Sequence, residues 1–156
     1  MSSSATPYGA RPVGTLSANG SFSGKVRHYS IASNYGTAIF YGDFVKLVAA
    51  GGVEKDTGTT ACTPIGIFLG VSYTDPNTSQ KTFSQYYPAS TVASDTSAYV
   101  LDDPDVLFEM QSDGSAAQTV IGNNVSVVQT AGTTAIGTSK NAVDISTIAA
   151  TTATLP

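Results

Sequence analysis

The chain has 156 residues, enough for one domain with a real core, since single domains usually run to about 100–200 residues. Only 12% of the residues are charged, about half of the roughly 25% usual for soluble domains, so solubility rests on the hydroxyls and amides of Ser, Thr and Asn. The net charge of −4 without any Lys/Arg stripe excludes a dedicated nucleic-acid binder, and a lone Cys62 with a lone His28 excludes an internal disulfide and the usual multi-ligand zinc sites.

Residues 1–35 hold Pro7, Pro12 and scattered apolar side chains with no steady period, too few to repay the entropy of ordering the segment by itself. They are expected to form an extended N-terminal arm that docks on another chain and is dispensable for folding of the rest. The arm is basic: Arg11, Lys25 and Arg27 are its charges up to residue 30, whereas residues 75–113 carry seven acids against Lys81 alone. Its expected partner-binding residues are the apolar and aromatic Tyr8, Val13, Leu16 and Phe22, which would bury against the partner, and Arg11, Lys25 and Arg27, which would meet acidic patches. The opening residues lack the apolar core of a secretory signal. The longest apolar run, around Ile65–Val71, is far shorter than the roughly 20 residues that span a bilayer, so the expected site of synthesis is the cytoplasm, without membrane contact.

From Thr37 the texture becomes that of strands, and residues 36–156 are expected to form a single β-rich domain. TAIFYGDFVKLVAAGG predicts two strands, or one bulged at Gly42, ending in a Gly51-Gly52 turn. IGIFLGVSY is the clearest strand, with Ile65, Ile67, Leu69 and Val71 on one side. Gly66 and Gly70 on the other predict close approach of another backbone. TDPNTS predicts a turn, KTFSQYY a further strand, Ser90–Thr96 a short helix, and TVIGNNVSVVQT a pair of strands broken at Gly122-Asn123-Asn124. Short strands at intervals of about 8–12 residues point to an all-β fold, a small β-barrel or sandwich.

The stretch AYVLDDPDVLFEMQSDG sets Asp102, Asp103 and Asp105 around Pro104. Strand character on both sides predicts a hairpin corner; the ligand spacing of a calcium loop is missing. No catalytic frame emerges elsewhere. His28 lies in the expected arm, GSFSG has Phe22 where a nucleophile elbow needs Ser, and Cys62 has no neighbouring cation to activate it. Phe83, Tyr86 and Tyr87 are expected in a core or an interface. The residues therefore predict no catalytic site, no metal and no cofactor.

YGDFVKLVAAGGVE, PIGIFLGVSYTDP, FSQYYPAST and the acidic proline stretch together cover about residues 36–114. They resemble the capsid decoration (cement) and head structural proteins of tailed bacteriophages, of the marine phage type. The resemblance implies a non-enzymatic structural protein of the virion, held on the outer capsid surface and bridging subunits of the major capsid protein. It also implies a homo-oligomer, with a trimer favoured, and an extended N-terminal arm. The alternatives are a phage tail or fibre component, or a β-domain that binds host glycans.

Overall fold

A computed structural model describes residues 6–16, 24–59 and 61–149, and within them the fold is all-β and sandwich-like, with no closed barrel. Ten strands follow in chain order: β1 (Arg11–Thr15), β2 (Val26–Ser30), β3 (Phe44–Val48), β4 (Gly52–Lys55), β5 (Gly66–Thr74), β6 (Lys81–Ser84), β7 (Ser97–Leu101), β8 (Val106–Glu109), β9 (Asn124–Val128) and β10 (Ala142–Ala149). Six of them form one antiparallel sheet in the order β2-β7-β5-β3-β4, with β6 also paired to β5. Two small antiparallel ribbons, β1–β8 and β9–β10, attach to it.

The main sheet is organised by β5. One of its edges pairs with β7; the other is shared, with β3 opposite Gly66 and Ile67 and β6 opposite Val71–Thr74. The TDPNTS turn closes the β5–β6 hairpin as expected: Asn77 N–H donates to Asp75 Oδ1 (2.8 Å) and Asp75 N–H to Gln80 O (2.9 Å). The sheet curls until β2 and the β3–β4 turn meet, where Ser30 Oγ donates to Gly51 O at 3.3 Å, but no ladder joins β2 to β4. Inside the curl lie Val45, Val53, Phe68, Val71, Tyr73, Ala98 and Val100, covered by Ile31, Ile39, Tyr87 and Ala93 from the connecting segments. Each buried large side chain contributes about 1.5–3 kcal/mol of transfer free energy.

A bulge corrects the expected pattern of β5. Phe68 faces Val100 and Gly70 faces Tyr99, so Leu69 is the extra residue and the faces exchange across it. Phe68 and Val71 consequently both enter the core, while Ile67, opposite both Phe44 and Leu101, belongs to the other face. The close approach predicted at the glycines is present: a Cβ on Gly66 would overlap Leu101 O, and one on Gly70 would lie 3.1 Å from Ser84 O.

Four further expectations change. Ser90–Thr96 is an irregular loop, held by Tyr87 Oη donating to Thr91 O (3.4 Å) and by Asp95 receiving Thr74 N–H (3.0 Å). Local side-chain bonds replace the helix there. Asp102–Asp105 is a corner but not a hairpin, because β7 pairs with β2 and β5 whereas β8 pairs with β1. Thr119 and Val120, expected in a strand, lie in a single 3₁₀ turn (Gln118–Val120), and β9 begins at Asn124. The described parts of residues 1–35 do not project as an arm: β1 pairs with β8, β2 pairs with β7 over five residues, and Ala10 is fully buried. Removing residues 1–30 would thus strip a strand from the main sheet.

Gly66 offers a test of the sheet's tightest crossing. Gly66→Ala is expected to lower stability by about 1–3 kcal/mol, since the obstacle is backbone that no rotamer change can move. A urea unfolding midpoint unchanged from the wild type would contradict the crossing.

Candidate functional site

The residues expected to bind a partner fall into two groups. Tyr8 Oη donates to Glu109 Oε1 at 2.5 Å, and the Arg11 guanidinium lies 4.5 Å from the centre of the Tyr8 ring. That hydrogen bond to a carboxylate raises the Tyr8 phenol above its ordinary value, with burial adding to it. Lys25 N–H donates to Asp103 Oδ2 (3.3 Å), and Arg27 Nη1 lies 3.2 Å from Asp102 Oδ2. The basic N-terminal stretch and the acidic middle are therefore brought together within one chain, by the β1–β8 and β2–β7 pairings. Arg27 thus has an acidic neighbour, Asp102, within its own chain, with its side chain still 64% exposed.

The apolar members are different. Val13 is 52% exposed and Leu16 68% exposed, on and just after β1, and Leu107 and Phe108 of the paired strand β8 are exposed as well. Consecutive strand residues point to opposite faces, so Leu107 and Phe108 place apolar surface on both sides of one ribbon. Among the described residues no third strand joins it. Phe22 lies outside the described residues. Beneath the ribbon runs an apolar groove of about 300 Å³, with Phe44, Ile67 and Leu101 of the sheet along one wall and Val106 and Phe108 of β8 along the other.

The acidic corner at the end of the groove is structural in its contacts. Asp103 Oδ1 accepts Asp105 N–H at 3.0 Å, tying its own turn. Asp102 is buried, its side chain only 3% exposed, and Oδ2 accepts Tyr29 Oη at 2.7 Å as well as Arg27. The bond to Asp102 raises the Tyr29 phenol, with desolvation second. Among the described residues no three His, Cys, Asp or Glu side chains are grouped to hold a metal ion. His28 stands exposed on β2, edge-on to Tyr99 at 4.6 Å between ring centres. Cys62 is buried with Sγ 2.6 Å from Gly58 O, and burial pushes its thiol up, away from the reactive thiolate. Of the three aromatic residues weighed together, Tyr87 is core, Tyr86 stacks on Phe40 at 5.6 Å, and Phe83 is 71% exposed.

One polar cluster escaped the sequence reading altogether. Asp43, fully buried at the entry to β3, accepts Lys55 Nζ (2.9 Å) and Phe40 N–H (2.9 Å) on Oδ2, and Ser139 Oγ (2.6 Å) and Asn141 Nδ2 (3.2 Å) on Oδ1. Asn141 Oδ1 in turn accepts Thr130 N–H at 3.0 Å. Gly42, at φ +89°, makes the turn that aims Asp43 inward, and a Cβ there would press on Tyr8 O and on the backbone of Ala10. The YGD triplet was the available signal, but the side-chain donors lie 12 to 98 residues away.

Comparison with protein-family models, with curated proteins and with solved structures gives no match.

Two outcomes follow from this geometry. Asp43→Ala leaves the Lys55 ammonium buried without its counter-ion and is expected to cost about 3–5 kcal/mol, read from chemical denaturation. Tyr29→Phe loses the bond to Asp102. Because the folded-state pKa of Tyr29 is raised, that bond contributes fully below the unfolded value of about 10 and is lost as pH rises through the folded one. The difference in urea midpoint between wild type and variant should therefore be present at pH 7 and close above about pH 10.

Proposed function

We propose that the chain is a structural protein of a tailed-phage virion, a capsid decoration or cement protein that bridges subunits of the major capsid protein on the outer surface. The observation that carries this reading is the β1–β8 ribbon, with Val13, Leu16 and Leu107 exposed on and beside it and Phe108 partly so above the groove. An isolated two-stranded ribbon is marginal in water, and apolar side chains left exposed on it call for a neighbour to cover them. A protein that bridges subunits has such neighbours.

Weak surface charge supports the same reading, since an exterior with few ionised groups is poorly protected against association. The resemblance of residues 36–114 to phage head proteins supplies the class of partner. In this reading Arg27 already meets Asp102 within the chain, salt-screened pairs add little, and hydrophobic burial supplies the docking energy at about 25 cal/mol per Å². The chain acts as a homo-oligomer, a trimer by the same resemblance, and catalyses nothing.

The test separates folding from docking. Val13→Asp and Leu107→Asp sit on exposed positions and should leave the unfolding midpoint within about 0.5 kcal/mol of wild type. Binding of the full chain to purified heads that lack it should fall at least tenfold for each variant, measured by co-sedimentation. Undiminished binding by both would remove the ribbon from the contact. Copy number near that of the major shell protein in whole particles would place the chain on the lattice, and a handful of copies would place it in the tail.

A further inference from the structure

We propose that Lys55 and Asn141 condense to an intramolecular amide, with Asp43 as the proton-transfer group, so that the chain staples its last strand pair to its main sheet. This inference does not rest on the proposed role in the capsid.

A nucleophile, an acyl group and a proton carrier are brought together in a buried site. Nucleophile and acyl group are held on neighbouring oxygens of one carboxylate: Lys55 Nζ on Asp43 Oδ2 at 2.9 Å, Asn141 Nδ2 on Oδ1 at 3.2 Å. Asp43 and Asn141 are fully buried and Lys55 is only 8% exposed, which limits access of the competing water. The carbonyl side of the amide is fixed by Thr130 N–H on Oδ1 at 3.0 Å, a donor placed where negative charge develops on attack. Ser139 Oγ and Phe40 N–H hold the carboxylate from the remaining directions.

The step balances. Lys55 Nζ gives one proton to Asp43 Oδ2 and its freed lone pair attacks Asn141 Cγ. The oxyanion formed on Oδ1 rests on Thr130 N–H. Asp43 then passes its proton to Nδ2 and takes the second proton of the attacking nitrogen; the Cγ–Nδ2 bond breaks and ammonia leaves. Lysine ends as a neutral amide nitrogen and Asp43 as a neutral acid. Two buried charges disappear, which removes the desolvation cost of keeping an ion pair out of water. No oxidant or cofactor takes part.

The link would connect β4 to the segment entering β10 and close a long loop in a chain whose one cysteine rules out an internal disulfide. The β9–β10 ribbon, two strands by itself, is the element that gains from it.

Mass spectrometry of the purified full chain decides the matter. After overnight incubation at growth temperature the expected mass is lower than that of the same polypeptide without the link by about 17 Da, one ammonia. Trypsin should fail to cut after Lys55 and should release one branched species joining the peptide that starts at Leu47 and ends at Lys81 to the peptide that starts at Asn141. Lys55→Arg and Asn141→Ala should each keep the unlinked mass. A wild-type chain with the unlinked mass and normal cleavage after Lys55 would overturn the proposal. So would a loss of about 18 Da mapped to Lys55 and Asp43, the mass of water, because Asn141 would then not be the acyl donor.

Discussion

A single carboxylate with no access to water sets the terms for this fold. Asp43 is costly to bury, and the cost is offset only if every lone pair finds a donor. The donors come from its own turn through Phe40, from the neighbouring hairpin through Lys55, and from the far end of the chain through Ser139 and Asn141. Satisfying one side chain therefore requires β3, β4 and the entry to β10 to arrive together. The backbone of the same residue extends the constraint, since Phe68 N–H donates to Asp43 O and Gly42 N–H to Phe68 O, both at 2.9 Å. Thus β5 is registered against the same point.

The N-terminal segment is drawn in by that arrangement too. Ala10 N–H donates to Gly42 O at 2.9 Å and Gly9 N–H to Asn141 O at 3.2 Å, so the approach to β1 is laid between the Asp43 turn and the entry to β10. From there β1 is delivered to β8, and its exposed apolar residues are presented on a ribbon with a fixed base. A rigidly presented patch loses less entropy on docking than a free arm would. Surface that a mobile arm would have offered at high entropic cost is offered here from a folded strand.

How much of this could be read in advance depended on range. The all-β class, the Gly51-Gly52 turn, the Asp75–Gln80 turn and the close approach at Gly66 follow from composition, turn chemistry and glycine placement, all of which act over a few residues. The irregular elements did not, for reasons visible in the structure. Leu69 is bulged out of a strand whose sequence alternates without fault, because pairing with β7 and not local preference sets its register. Residues 24–35 look too polar to order themselves. They are ordered by β7, whose acidic neighbours Asp102 and Asp103 take up Arg27, Tyr29 and the Lys25 backbone. Lopsided charge along the chain was legible, but its pairing was not: the Arg27–Asp102 contact arises only when β2 is laid beside β7.

The same limit explains why the proposed docking residues and the buried cluster differed in visibility. Val13 and Leu16 stand out in sequence because apolar side chains among Ser, Gly and Pro have no local core to enter; that argument needs no partner in hand. Asp43, Lys55 and Asn141 each look ordinary, a turn aspartate, a strand lysine and a loop asparagine, and their meaning arises only when three segments converge. A carboxylate that binds a lysine and an amide at once is poised between two uses, holding segments by charge or letting them join. Which of the two prevails depends on whether the site favours ions or neutral groups, and exclusion of water pushes toward the neutral ones. The feature that makes Asp43 expensive as an ion is thus the one that suits it to passing protons between its neighbours.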